Sequence, residues 1–414
     1  MPSLARYEVV SLLSSLGYGG LSQVNMNLRP ALSEQNVTLT WLACGAEARG
    51  ATGWFARLEH RESGKVLGPS LTKDTERAAA YRKYILDRRP SAVLFHILSG
   101  PVETNLVAYL PREILRIAMV HTITPATYRA ARAVRDSLHA AIGVSPRISD
   151  DLVRLCGFPR DMVFCAPNGL ECRAFSAQER MPVEDGPLRV LSCGRIEDIA
   201  KGIFWVPEIV AKTRDLGQKV ALTVAGDGPD RAELERRVQR RGLKSCTSFR
   251  GWVNVEDMPR LYAEHDVLLF PSRFEGLPLA LVEAMAGGCV PVATRIRGVT
   301  DFVVQHGRTG YLFPSGDVRA AAHLLVHLAS DRKQLFAMRR AARETHWERF
   351  DIGKQASTIV RILDQIQARP RRIRDPLPLD KWHIARGLRP AWWTSLPEPV
   401  KNRLRVMRER LSVV

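Results

Sequence analysis

Short apolar runs rich in β-branched residues alternate with longer helical patterns from one end of the chain to the other. In the first half the runs fall at Tyr7–Ser14, Val37–Ala43, Ala92–Leu98, Ile117–Thr122, Ala141–Ser145 and Val163–Pro167. In the second half they fall at Arg189–Gly194, Val220–Gly226, Thr247–Trp252, Val267–Pro271, Val290–Thr294 and Gly310–Phe313. Strands alternating with helices predict parallel sheets with crossover connections. The expected fold class is α/β, with two Rossmann-like, doubly wound parallel-sheet domains.

The alternation breaks twice. Ala177–Pro187 is a polar run with two prolines, which reads as an interdomain linker. It sets an N-terminal domain over 1–180 and a C-terminal domain over 187–350. After a helical pattern over 351–368 the composition changes again, to Arg369-Pro370-Arg371-Arg372-Ile373-Arg374 and then prolines with Trp382, Trp392 and Trp393. Residues 369–414 form a basic tail.

A chain of 414 residues exceeds one ordinary domain, so two cores are expected on size alone. Apolar residues at 45% and charged residues at 25% exclude global disorder and fibrous classes. The apolar run Val9–Leu13 is too short for a signal peptide, and no apolar stretch reaches membrane-spanning length. A cytoplasmic location is expected. Seven cysteines without a C-x-x-C pair read as reduced thiols, and their spacing suits no metal. The net charge of +18 is uneven: residues 369–414 carry 12 basic and four acidic side chains, nearly half the excess. Such a tail implies an anionic partner.

Candidate chemistry gathers at predicted strand ends. After Asp266–Phe270 the chain turns through Pro271–Phe274 and enters a helix near Pro278, which Gly287-Gly288 stops. The turn presents Glu275 and the backbone of Gly276, Leu277, Pro278 and Leu279 at a helix N-terminus, a ready anion site. Glu283, eight positions after Glu275, is expected to face the same cleft. Arg195 and Lys201 follow another strand and suit a diphosphate, the first by a forked contact and the second as a point charge. Gly226 lies in Ala225-Gly226-Asp227-Gly228-Pro229, where glycines let the backbone approach a ligand. Gly17-Tyr18-Gly19-Gly20 forms a similar turn after the first strand, and His121 closes the run Ile117–Val120. Taken singly, each of these also fits ordinary turn chemistry or solvated charge.

Together the motifs resemble retaining glycosyltransferases of family 4 with the GT-B fold, two Rossmann-like domains facing a central cleft. In the second half the resemblance rests on Gly194-Arg195…Lys201-Gly202, Ala225–Pro229, Phe249-Arg250-Gly251-Trp252-Val253 and Glu275-x7-Glu283, in that order. In the first half it rests on Gly19-Gly20, Val120-His121, Gly143-Val144-Ser145 and Ala166-Pro167-Asn168-Gly169. The match spans about 5–365, most specifically 188–316, and implies that the helix over 351–368 returns to the N-terminal domain.

The resemblance implies a nucleotide-diphosphate sugar held mainly by the C-terminal domain as co-substrate, with no cofactor and no metal. Arg195 and Lys201 would neutralise the diphosphate, and the backbone of Gly276 to Leu279 would add donors. Glu275 would hold hydroxyls of the transferred sugar and Glu283 those of the ribose, with Trp252 and Val253 bordering the base. Gly226 would also lie against the donor. Gly19 and Gly20 would line the phosphates, and His121 would face the sugar from the N-terminal domain. The implied activity is transfer with retained configuration to a glycan or lipid-linked acceptor, in cell-envelope polysaccharide assembly.

An epimerase on the same architecture is the alternative, and it would need no acceptor. A nucleic-acid-binding protein is a second alternative, but no nucleic-acid module accompanies the basic residues. The tail is open to two readings. Its arginines and tryptophans suit an anionic membrane surface, placing the protein peripherally on the inner face; they equally suit a solvated cap packed on the enzyme.

Overall fold

The computed structural model describes residues 6–14, 20–45, 63–97, 100–171, 175, 186–390 and 396–411. It divides into two compact units, Met1–Gly169 with Ile352–Thr394, and Leu170–Asp351 with Ser395–Val414. Each unit is a parallel sheet covered by helices.

The first unit holds seven strands: β1 (Tyr7–Leu12), β2 (Val37–Cys44), β3 (Gly64–Leu67), β4 (Ala92–His96), β5 (Leu115–Val120), β6 (Ala140–Gly143) and β7 (Val163–Cys165). Their order is β3-β2-β1-β4-β5-β6-β7, every pairing parallel. All residues of β4 and β5 are buried, and apart from Arg116 in β5 and the terminal His96 of β4 both strands are apolar. Helix Ile352–Ala368 belongs to this unit and packs on helix Gly20–Ser33. Tyr7, which opens β1, donates to Asp364 of helix Ile352–Ala368 at 2.6 Å.

The second unit holds β8 (Leu188–Cys193), β9 (Val220–Ala225), β10 (Thr247–Gly251), β11 (Val267–Phe270), β12 (Val290–Thr294) and β13 (Tyr311–Phe313). The order is β10-β9-β8-β11-β12-β13, again parallel. Its core joins Val190, Val224, Leu269 and Val292 of the sheet to Ile209, Leu325 and Leu335 of the covering helices. At the base of this sheet Asp266, almost wholly buried, receives Arg189, Arg332 and Arg339.

In both sheets the strand order reverses at the centre, between β1 and β4 and between β8 and β11. Open α/β sheets bind ligands at the carboxyl ends of the strands flanking such a reversal. The twelve expected strands all appear, and β3 is an addition. It has four residues at the sheet edge, with Gly64 so close to Trp41 that an added Cβ would lie 2.1 Å from the indole.

Part of the basic tail is a packed cap. Trp382 lies against Tyr109 with ring centroids 4.6 Å apart, Asn105 bonds both His383 O and Ala385 N–H, and Arg129 donates to the carbonyls of Gly387 and Arg389. Trp392 and Trp393 fall outside the described residues, as do Gly17 to Gly19 and nearly all of the expected linker.

Candidate active site

In the second unit the loops after β8, β9 and β11 are locked together. Gly194, at φ +123, donates to Ala225 O at 3.0 Å, and Ile196 N–H donates to Asp227 O at 2.9 Å. A Cβ on Gly226, itself at φ +130, would lie 1.9 Å from Gly194 O. Glycine at 226 is therefore required by loop-on-loop packing as well as by a positive φ.

The β8 loop continues into the single turn Asp198–Lys201, capped by Gly202 in the left-handed region. A Cβ on Gly202 would stand 2.3 Å from Pro271 O, so this turn presses on the end of β11. The buried Arg273 fastens it there. Its guanidinium pairs with Asp198 at 3.0 Å and stacks 4.1 Å over Trp205, and its backbone N–H donates to Ala200 O at 2.8 Å.

This packing brings Lys201 to Glu275, 74 positions away, with Nζ 2.7 Å from Oε1. Glu275 is 12% exposed and Lys201 33%. Read along the chain these residues have separate roles; adjacency of β8 and β11 makes them an ion pair. Arg195 lines the same pocket, with Cys193, Phe270 and Ser272. Its own side chain is 67% exposed, near Glu197 at 3.9 Å.

Helix Leu279–Ala286 begins one residue later than expected, with Pro278 as its cap. Pro278 has no N–H, so the expected row of donors from Gly276 to Leu279 reduces to Gly276, Leu277 and Leu279. Among the described residues these three N–H groups have no partner. Ser272 Oγ, also buried beside Lys201, has none either. The open donors and Lys201 make a site suited to an anion.

Glu283 lies inside the helix, 7% exposed, and its Oε2 accepts from Tyr262 at 2.9 Å. Tyr262 also lies 3.3 Å from Cys193 Sγ, so the carboxylate is fixed through Tyr262 to the end of β8. Burial raises the Tyr262 phenol, reinforced by Cys193 and Glu283, and burial pushes the Cys193 thiol up to about 12. Both stay protonated at neutral pH. Trp252, half exposed, and Val253 follow the edge strand β10.

In the first unit His121 follows β5. Its Nε2 lies 2.9 Å from His96 Nδ1, and His96 Nε2 lies 2.8 Å from Ser11 Oγ, which donates to Asn25 at 2.6 Å. His96 closes β4 and is buried. Burial pushes His121 down to about 4 and lowers His96 as well. His121 is thus a neutral, oriented imidazole, not a group titrating near pH 7. Gly20 opens helix Gly20–Ser33, and Gly19 lies outside the described residues.

Sequence reasoning missed Arg273, Asp198, Tyr262 and His96. A signal existed for His96, a polar side chain ending an apolar run as His121 does. Arg273 in a turn resembles any solvated cation.

Residues 187–331 match the family model described as "Glycosyl transferases group 1". Among curated proteins the chain is similar to an alpha-D-kanosaminyltransferase of Streptomyces kanamyceticus, 27% identical over 65% of this chain and 70% of that one. It is also similar to the amylovoran biosynthesis glycosyltransferase AmsK of Erwinia amylovora, 28% identical over 49% of this chain and 52% of the relative. The chain thus spans about seven-tenths and about half of these two relatives. Among solved structures it superposes on Anabaena Alr3699/HepE in complex with UDP-glucose, with TM-score 0.73 and 16% identity over 87% of this chain and all of that one. The chain therefore carries the two-sheet fold of GT-B glycosyltransferases, and its residues 187–331, which hold Lys201, Glu275 and Glu283, match the group 1 glycosyltransferase family.

Proposed function

We propose that this protein transfers a sugar from a nucleotide-diphosphate donor to a glycan or lipid-linked acceptor with retention of anomeric configuration, in cell-envelope polysaccharide assembly. The observation that carries the reading is the Lys201–Glu275 pair beside the open N–H groups of Gly276, Leu277 and Leu279, at the central strand reversal of the second unit. UDP-glucose in the HepE complex and amylovoran biosynthesis in the name of AmsK support the substrate class.

In this reading the leaving diphosphate gains negative charge as the glycosidic bond breaks. Lys201 and Arg195 face that charge, and the loop N–H groups add dipoles that need no reorganisation. Glu275 holds Lys201 in place through Oε1 while accepting hydroxyls of the transferred sugar. Glu283, oriented by Tyr262, accepts the ribose hydroxyls, Gly226 lets the β9 loop lie against the donor, and Trp252 with Val253 borders the base. Neutral His121, steadied by His96, is the first unit's candidate donor of one hydrogen bond to a sugar. No side chain is assigned as a covalent nucleophile.

Contact with an anionic membrane rests on helix Glu398–Leu411. Val400, Leu404 and Met407, spaced as one helical face, are exposed at 43%, 51% and 56%, and Lys401 and Arg403 flank them. Leu404→Asp with Met407→Asp should abolish binding to phosphatidylglycerol vesicles.

The activity test incubates the protein with UDP-, GDP- and ADP-sugars, with and without a lipid-linked acceptor pool, and reads nucleotide release and product anomer by NMR. Acceptor-dependent release with a retained anomer is expected. Conversion of donor without acceptor points to an epimerase, and an inverted product overturns retention.

A further inference from the structure

A second cationic site lies in the first unit. Arg135 and Asp136 precede β6, Pro159 and Met162 precede β7, and the extended segment after helix Ile352–Ala368 adds Arg371, Arg372 and Arg374. Together they line a concavity of about 330 Å³. It sits at the amino-terminal edge of the sheet, whereas His96 and His121 close strands at the carboxyl edge.

The site is fixed by its surroundings. Pro370, Pro376 and Pro378 keep the segment extended, and buried Ile373 anchors it. Side chains alternate along an extended chain, so Arg372 and Arg374 stand opposite Ile373. Arg374 N–H donates to Asp136 O and Leu377 N–H to Ala108 O, each at 2.8 Å. The Arg135 guanidinium is held by Gly157 O at 3.2 Å and Asp136 Oδ1 at 2.8 Å. Arg374 reaches Asp136 at 3.3 Å and Arg371 reaches Asp161 at 3.5 Å.

Two carboxylates thus pair with three guanidinium groups, and the fourth, Arg372, has no ion pair among the described residues. Like charges gathered in one concavity repel unless an anion joins them. Guanidinium forks match the oxygens of a phosphate, and the dimensions suit a phosphate ester or headgroup. We infer that this pocket binds a phosphate group, carried by a soluble phosphate ester or by a phospholipid headgroup at the membrane.

The test uses the full chain and Arg372→Glu, an exposed position whose change leaves the fold intact, with Arg372→Ala as a milder second variant. Inorganic phosphate binding is followed by calorimetry at low salt, and vesicle binding by flotation with phosphatidylglycerol or phosphatidylcholine. Wild type is expected to bind phosphate at least about tenfold more tightly than Arg372→Glu, with Arg372→Ala between them. Loss of phosphatidylglycerol vesicles along with phosphate identifies a headgroup; unchanged vesicle binding with lost phosphate identifies a soluble ester. Equal phosphate and vesicle binding by wild type and folded Arg372→Glu overturns the inference. Nucleotide-sugar turnover by the same variants stays at wild-type level, so failure here is separate from failure of the transferase reading.

Discussion

Replacing Lys201 with alanine separates catalysis from stability. The substitution leaves Glu275, 12% exposed, without its 2.7 Å partner. An uncompensated charge at a fully buried pair costs about 3–5 kcal/mol, and at an exposed one about 0–1. With Lys201 one-third exposed, solvent screening brings the expected loss to about 1–2 kcal/mol, a shift of a few degrees in melting temperature. The effect on turnover is larger. A cation about 3.5 Å from a developing phosphate charge contributes about 4–5 kcal/mol at an effective dielectric of about 20. Removing one such preorganised group lowers kcat by about 10²–10³. Initial rates of nucleotide release and thermal melts are measured on Lys201→Ala, Glu275→Gln and the double variant. The Glu275→Gln change removes the stranded charge, so the double variant should recover the stability lost by Lys201→Ala without recovering its turnover. A folded Lys201→Ala with kcat within about threefold of wild type, far short of the loss expected for a preorganised cation, rules out that role for Lys201, as does turnover restored by Glu275→Gln.

Other expectations follow from the same geometry. Gly226→Ala places a methyl 1.9 Å from Gly194 O at positive φ, so it should cost about 2 kcal/mol or more and weaken donor binding by displacing the Arg195 loop, read by melting and KM. Asp266→Ala leaves Arg189, Arg332 and Arg339 around an empty centre and should cost about 3–5 kcal/mol in urea unfolding, with little effect on KM in the surviving folded fraction. His121 sits at about 4 when folded against about 6.5 unfolded, so its contribution is complete above about pH 6.5 and lost as pH falls toward 4. Urea midpoints should drop between about pH 7 and 4.5, and His121→Gln should flatten that slope; an unchanged slope contradicts a neutral, half-buried His121.

The strands were legible because both faces of each sheet are covered, which makes β11 a continuous apolar run and leaves β4, β5 and β12 apolar but for His96, Arg116 and Thr294. β3 was not, since a four-residue edge strand beginning at a glycine leaves almost no pattern. Glu275 and Glu283 were legible as a spaced pair in one segment. Their surroundings were not, because Lys201 and Tyr262 reach them only through the order β8-β11 and the packing of the β11 loop. Arg273 escaped for a related reason: burial and stacking on Trp205 distinguish it from a surface arginine, and neither is written in local sequence. In the tail, the tryptophans suited an interface and a packed cap equally, and only the tertiary contacts of Trp382 with Tyr109 and of His383 with Asn105 tell that this segment is the cap.

The proposed transfer requires the second unit to hold a nucleotide-diphosphate sugar. The direct measurement is the thermal stability of the full chain titrated with UDP-, GDP- and ADP-sugars, beside Lys201→Ala and Glu283→Gln. A ligand at about 100 times its Kd stabilises the native state by about 2.7 kcal/mol. A saturable rise in melting temperature with one of the three donor classes is expected, reduced in both variants. A flat response of the folded wild-type protein to all three contradicts the proposed transfer.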